Sequence, residues 1–75
     1  MENNFDVDQK IGSLIRKYRE SRGYTQEHFA YLCGISRAYY GRIERGEYHV
    51  TLFMCYKISQ TLGIRVCDLF EDFPD

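Results

Sequence analysis

The sequence lacks the features that mark membrane-spanning and disordered chains. Its 75 residues include one proline and no run of eighteen apolar residues, so no membrane-spanning helix is expected. The acidic amino terminus also lacks the basic and apolar stretches of a secretory signal peptide. Because 44% of the residues are apolar, we expect a folded domain in the cytoplasm rather than a disordered tail.

Cysteine and histidine are too few and too scattered to build a disulfide framework or a metal site. Cysteines stand at positions 33, 55 and 67, an odd number without the paired spacing of zinc ligands. We interpret them as reduced thiols that pack as small hydrophobic groups, and we expect no cofactor. His28 and His49 are isolated, and the domain is too small for a large pocket. Neither an enzyme nor a small-molecule ligand is therefore expected.

Charge is unevenly distributed along the chain, although the net charge is only −1. Residues 10–45 contain eight basic and three acidic side chains, a balance of +5, whereas residues 1–9 and residues 46–75 each carry −3. A basic middle between acidic ends can form a positive face without a basic total. Charge alone leaves open whether this face binds nucleic acid or is simply solvated.

Caps and glycines divide the chain into short helices, and no strand pattern, repeat or low-complexity segment is present. We predict an all-α single domain of five short helices, with its core over about residues 7–70 and an acidic tail over 71–75. The expected helices are, in order, Asp6 or Asp8 to about Ser21, Thr25 to Gly34, Ser36 to about Glu44, Thr51 to Leu62, and Val66 to Phe70.

The second and third predicted helices form a helix-turn-helix unit, because a turn of three or four residues joins them. At about 100° per residue, Tyr40 and Ile43 share the inner side of the third helix. The residues expected on its outer side are Arg37 at the flank, Ala38, Gly41, Arg42 and Arg45. Arginines separated by small residues suit the major groove of DNA, where arginine can donate two hydrogen bonds to guanine. A solvated arginine face is the alternative.

The order of residues from 11 to 70 resembles the phage repressor and Cro-like (XRE-type) helix-turn-helix family. The segments that carry the resemblance are Ile11-Gly12, Ile15-Arg16, Arg19, Gly23-Tyr24-Thr25-Gln26-Glu27, Phe29-Ala30, Gly34-Ile35-Ser36-Arg37, Ile43-Glu44-Arg45-Gly46, Ile58 and Leu62-Gly63. The resemblance implies a lambda-repressor-like domain that binds an operator in double-stranded DNA and regulates transcription.

The resemblance also implies roles for individual residues. Base edges are expected to be read by Arg37, Ala38 and Arg42. Phosphate contacts are expected from Gln26, Ser36 and Tyr39, together with the flanking Arg16 and Arg45. Phosphate contacts fix the register on DNA, and base contacts give specificity. Three alternatives stay open, namely a plain surface role for Gln26, packing on the first helix for Tyr39, and capping of the third helix for Arg45.

One pair of residues is expected to be structural rather than in contact with DNA. In the resembled family, an arginine at the position of Arg19 pairs with a glutamate at the position of Glu44. The pair would orient the third helix. We therefore leave both residues out of the predicted DNA contacts.

The fourth predicted helix carries more apolar residues than its inner face needs. Leu52, Cys55, Ile58 and Leu62 suffice for that face, whereas the resembled family usually has polar residues at positions 53 and 54. A contiguous exposed apolar patch commonly marks a protein interface. We predict a twofold homodimer that binds a near-palindromic site, with an interface formed by Phe53, Met54, Tyr56, Val66 and Phe70. A slightly larger core is the alternative.

The sequence supports one narrower hypothesis and one competing hypothesis about function. The segments Glu44-Arg45-Gly46 and Val50-Thr51-Leu52 are also similar to controller proteins of restriction–modification systems, which are dimeric members of the same fold. A competing hypothesis is a helical protein-interaction module that kept the fold without DNA contact. The negative total charge and the apolar fourth helix favour that module, whereas the presence of Arg37 and Arg42 favours DNA binding.

Overall fold

The structure, a computed structural model, describes residues 4–71 and 73, with side chains from residue 7 onward. This part of the chain forms α1 (Asn4–Ser21), α2 (Gln26–Cys33), α3 (Arg37–Glu44), α4 (Leu52–Leu62) and a 3₁₀ helix over Val66–Phe70. No strand occurs among these residues. The all-α class is therefore confirmed.

Hydroxyl side chains begin α2, α3 and α4, as the sequence predicts. Thr25, Ser36 and Thr51 each accept a hydrogen bond from the backbone N–H three residues further on, at 3.0, 3.1 and 3.1 Å. Each bond satisfies a donor that the first turn of a helix leaves without a partner. Local chemistry therefore sets the start of these helices.

The prediction that Asp6 or Asp8 caps α1 is wrong, because the helix begins at Asn4. Asp8 lies within the helix and is buried, with its Oδ2 2.6 Å from Nδ1 of His49. Its carboxylate is thus held by the segment between α3 and α4 rather than by the helix start. The side chain of Asp6 lies outside the described residues, as does most of the predicted tail 71–75.

The last predicted helix has the predicted bounds, but it is a 3₁₀ helix. The backbone N–H of Asp68 donates to the Arg65 carbonyl at 3.0 Å, which is the three-residue spacing of that helix. In return, Oδ2 of Asp68 accepts from the Arg65 backbone N–H at 2.9 Å. Five residues are too few to build successive α-helical turns, so the tighter hydrogen bonding prevails.

The core lies where all five elements meet. The completely buried side chains are Ile15, Phe29, Tyr40, Ile43, Ile58 and Leu69, so every element contributes at least one. Helix α1 contacts both α3 and the 3₁₀ helix, whereas α4 contacts α2 and the 3₁₀ helix. At Gly12 a Cβ atom would overlap the backbone carbonyls of Ile43 and Glu44. Glycine therefore lets α1 approach the end of α3 closely.

Candidate nucleic-acid interface

Three residues join α2 to α3. Gly34 takes a left-handed conformation with φ of 75°, which glycine adopts without strain. The backbone N–H groups of Gly34 and Ile35 close α2 by donating to the carbonyls of Tyr31 and Ala30, each at 3.0 Å. Ser36 then caps α3. The chain thus reverses within a short turn, which gives the geometry of a helix-turn-helix unit.

A buried ion pair anchors the carboxyl end of α3 to α1. Nε of Arg19 lies 2.6 Å from Oε2 of Glu44, and Nη2 of Arg19 donates to Oε1 at 3.4 Å. The two side chains are only 8% and 2% exposed. Arg19 also donates through Nη1 to the Tyr24 carbonyl at 2.5 Å. The pairing that the resemblance implies is confirmed.

Gln26 joins this network from the start of α2. Its Nε2 donates to Oε1 of Glu44 at 2.9 Å. Burial raises the pKa of the Glu44 carboxyl, but the hydrogen bonds that Arg19 and Gln26 donate prevail and hold that pKa below its ordinary value. The hydrogen bond to Glu44 raises the pKa of Arg19 in turn. The carboxylate at the end of α3 is therefore held by the guanidinium of Arg19 from α1 and by the amide of Gln26 from α2.

The three predicted base-reading residues lie together on the exposed side of α3. Arg37, Ala38 and Arg42 are all exposed. Arg37 lies at the amino end of the helix and lines an open groove with Gln26 and other residues of α2. Because the opposite side of α3 is buried, these three side chains are the part of the helix that a partner can reach.

The sequence predicts that Gly41 lies on the outer side of α3, but the structure buries it. The residue is buried, and a Cβ atom built on it would lie 3.1 Å from Nη1 of Arg45. The guanidinium of Arg45 folds back over the preceding turn, because long helical side chains lean toward the amino end. Arg45 thus covers the gap that the missing side chain leaves.

The predicted phosphate-binding residues are dispersed around this face. Ser36 is exposed, whereas Gln26 and Tyr39 are half-buried. Arg16 and Arg45 are exposed and paired with neighbouring carboxylates, at 3.2 Å between Nε of Arg16 and Oε2 of Glu20, and at 2.8 Å between Nε of Arg45 and Oε2 of Glu47. Exposed pairs of this kind are weak, so both arginines can exchange partners.

Tyr48 is a residue of this face that sequence reasoning missed. Its hydroxyl accepts a hydrogen bond from Nη1 of Arg42 at 2.8 Å, and Cζ of Arg42 lies 5.4 Å from the Tyr48 ring centroid. The rings of Tyr39 and Tyr48 pack with centroids 5.4 Å apart. Tyr48 follows α3 outside any helix, so no periodic pattern marks it. A tyrosine six residues after an outward arginine is the signal that was available.

A second group of exposed apolar residues lies on α4 and on the 3₁₀ helix. Leu52 is 80% exposed, Phe53 68%, Tyr56 53% and Phe70 39%. Phe53, Tyr56 and Phe70 are exposed as predicted, and Val66 is half-buried. We call Leu52, Phe53, Tyr56 and Phe70 the apolar patch.

The expected places of Met54 and Leu52 are both wrong. Met54 is buried in the core at 9% exposure, although it is predicted to lie in a dimer interface, whereas Leu52 is exposed rather than inward-facing. The unbranched side chain of methionine is long and flexible enough to reach the core from the flank of the helix. Leu52 is the first residue of α4, and its side chain leans back past the helix start.

The described residues form neither a candidate metal site nor a membrane-spanning helix. No group of three or more histidine, cysteine, aspartate or glutamate side chains in this part of the chain is placed to hold a metal ion. None of the described helices combines the length and the apolar character that crossing a membrane requires.

A short turn between two helices, with arginines exposed on the second, defines a helix-turn-helix domain of the DNA-binding class. A protein-family profile described as Helix-turn-helix matches residues 15–69. The chain therefore belongs to this XRE-type helix-turn-helix family of transcriptional regulators, as the resemblance implies. Membership also supports the prediction that the chain is not an enzyme.

Individual relatives match nearly the whole chain. The control protein C.MunI from Mycoplasma sp is 38% identical over 68 residues, which cover 89% of this chain and 92% of that protein. The control protein C.BamHI from Bacillus amyloliquefaciens is 38% identical over 62 residues, 81% of this chain and 76% of that protein. The crystal structure of the restriction-modification controller protein C.AhdI from Aeromonas hydrophila superposes with a TM-score of 0.86 at 33% identity, covering 92% of this chain and 100% of that one.

Proposed function

We propose that this protein binds a specific operator in double-stranded DNA as a homodimer, with α3 in the major groove. The observation that carries the proposal is the exposed set of Arg37, Ala38 and Arg42 on a helix held at both ends. The Ser36 hydroxyl caps its start, and the buried pair of Arg19 and Glu44 anchors its end. A rigid helix lets arginine reach guanine O6 and N7 with defined geometry.

Phosphate groups would be bound around the start of α2 and α3. Gln26 uses one N–H of its amide for Glu44, which leaves the second N–H of the same nitrogen for a phosphate. Ser36 caps α3 and Tyr39 lies in its first turn, where backbone N–H groups and the helix dipole favour an anion. Arg16 and Arg45 would add contacts at the flanks by exchanging Glu20 and Glu47 for phosphate oxygens.

The apolar patch would form the dimer interface around a twofold axis. A second copy is the occupant that we propose, because exposed aromatic and aliphatic side chains gain by leaving water. The two α3 helices would then enter major grooves about 34–36 Å apart on a near-palindromic site. Half-buried Val66 lies in the 3₁₀ helix with Phe70 and would border this interface.

Within this class, we propose a control protein of a restriction–modification system that acts in the cytoplasm of a prokaryotic cell. The names of C.MunI, C.BamHI and C.AhdI support this narrower proposal. Transcription from a promoter that contains the selected operator, with and without the protein, tests it. A change in transcript level in either direction supports control, whereas an unchanged level contradicts it.

Selection of binding sites from random duplex DNA tests the function directly. We expect an enriched inverted repeat, because the proposed dimer is twofold symmetric. The affinity for the selected duplex should fall steeply as the salt concentration rises, since arginines displace counterions from phosphate. An enriched site without repeat symmetry would contradict the dimeric mode but not DNA recognition.

A protein-interaction module is the second candidate function, favoured by the exposed apolar patch and the net charge of −1. In that case the same selection would enrich no sequence, and binding to DNA would be weak and confined to low salt. The two candidates therefore predict opposite results in one experiment.

A further inference from the structure

We infer that Tyr48 is a positioning residue that orients Arg42 for reading a base. The inference rests on the proposed DNA binding, and it adds a residue outside α3 to the determinants of specificity. Two contacts join the pair, namely the 2.8 Å hydrogen bond from Nη1 of Arg42 to the Tyr48 hydroxyl and the 5.4 Å approach of Cζ to the ring centroid.

The ring of Tyr48 is itself supported. It packs on Tyr39 with ring centroids 5.4 Å apart, and Tyr39 is partly buried against the core. The position of Arg42 is thus linked through two aromatic rings to the body of the domain. A long arginine side chain held in this way loses less conformational freedom when it contacts a base.

The hydrogen-bonding capacity of Arg42 allows both partners at once. A guanidinium carries five N–H donors, and reading guanine uses two of them. Tyr48 accepts one bond from Nη1, so the remaining donors are enough for a bidentate contact. The tyrosine hydroxyl therefore orients the guanidinium without occupying its whole donor edge.

Arg37 provides the contrast on the same face. Its side chain makes no hydrogen bond or ion pair with any residue in the described part of the chain, whereas the side chain of Arg42 is held by Tyr48. The two arginines should therefore respond differently to changes outside α3. Preference at the base pair read by Arg42 should depend on Tyr48, and preference at the base pair read by Arg37 should not.

The experiment uses the selected operator and a set of duplexes in which each base pair is replaced in turn. Arg42→Ala first identifies the base pair whose replacement no longer matters. Tyr48→Phe should then lower discrimination at that base pair by about two- to tenfold, the range for loss of one hydrogen bond, and leave the other positions unchanged. In the Arg42→Ala background, Tyr48→Phe should have no further effect on discrimination.

Tyr18→Phe is the matched control. It also removes a tyrosine hydroxyl bonded to a charged side chain, with 2.6 Å between the Tyr18 oxygen and Oε1 of Glu71, but it lies in α1 and has no contact with Arg42. Discrimination at every base pair should stay at the wild-type level. A loss in this variant as large as that in Tyr48→Phe would overturn the assignment.

Nuclear magnetic resonance of the protein without DNA gives an independent readout. Protons on Cδ and Nε of Arg42 should carry a ring-current shift that Tyr48→Phe keeps and Tyr48→Leu removes. Unchanged shifts in Tyr48→Leu would overturn the inference, because the ring would then not hold the guanidinium.

Other outcomes with DNA separate this inference from the proposed function. Equal loss of affinity on all duplexes, or tighter binding by Tyr48→Phe, would overturn the positioning role while an operator is still recognised. Failure of the wild-type protein to select any sequence would overturn the proposed function, and the role of Tyr48 in base reading with it.

Discussion

Helices α3 and α4 are alike on the inside and differ on the outside. Each begins at a hydroxyl cap and buries an isoleucine completely, Ile43 in α3 and Ile58 in α4. Toward solvent, α3 presents Arg37 and Arg42, whereas α4 presents apolar side chains such as Phe53. The residue types that each helix exposes to solvent are therefore not explained by the core that the two helices share.

The comparison teaches that the buried sides of the two helices build one core, whereas their exposed sides differ in chemistry. Exposed arginines are well solvated and can exchange water for phosphate or guanine. Exposed apolar area gains about 25 cal/mol per Å² when another surface removes it from water. The exposed side of α3 thus suits a polyanion, and that of α4 suits a protein surface.

The largest effect is expected where α3 is anchored. Arg19→Ala should lower the free energy of unfolding by about 3–5 kcal/mol, because it leaves the buried carboxylate of Glu44 without its charged partner. Urea unfolding at neutral pH measures the change. Arg16→Ala, which breaks the exposed pair with Glu20, should cost less than about 1 kcal/mol. Equal losses in the two variants would show that the buried pair is not what holds α3.

The next effect concerns the apolar patch. Phe53→Glu should weaken dimerisation about thirtyfold or more, or about 2 kcal/mol, because it would bury a charge at the interface. Sedimentation over a range of concentrations measures the dissociation constant. Ser13→Glu places the same charge on an exposed position of α1 and should leave dimerisation unchanged. An unchanged dimer in Phe53→Glu would place the interface elsewhere.

Replacement of an arginine on α3 should weaken DNA binding and leave the stability of the fold unchanged. Arg37→Ala should cost about 1–3 kcal/mol on the selected operator and relax the preference at one base pair. Fluorescence anisotropy at fixed salt measures the affinity, and the free energy of unfolding should stay near the wild-type value because the side chain is exposed. The same loss on every duplex would make Arg37 a phosphate contact instead.

Acid should produce the smallest effect, because burial partly offsets the hydrogen bonds that lower the pKa of Glu44. A carboxyl with a lowered folded-state pKa stabilises the fold fully above its ordinary pKa of about 4.3, and this contribution is lost as the pH falls through the folded-state pKa. The free energy of unfolding between pH 6 and pH 3 should therefore fall less steeply in Glu44→Gln than in the wild type. An equally steep fall would contradict a role for Glu44.

The caps, the short turn and the exposed Arg37 could be predicted because neighbours in sequence decide them. A hydroxyl accepts from the N–H three residues later, and Gly34 supplies the left-handed residue that ends α2. The outward side of α3 follows from a period of 3.6 residues. The exact start of α1 could not be predicted, because Asp8 is held by His49, about forty residues away.

The sequence by itself determined the caps of α2, α3 and α4 and the exposure of Arg37, Ala38 and Arg42, since both depend on contacts within a few residues. Only the tertiary structure decided the places of Met54, Leu52 and Tyr48. Their positions depend on how far each side chain reaches and on what neighbouring elements leave uncovered. Such contacts arise between parts of the chain that no local period connects, so they exist only once the helices have packed.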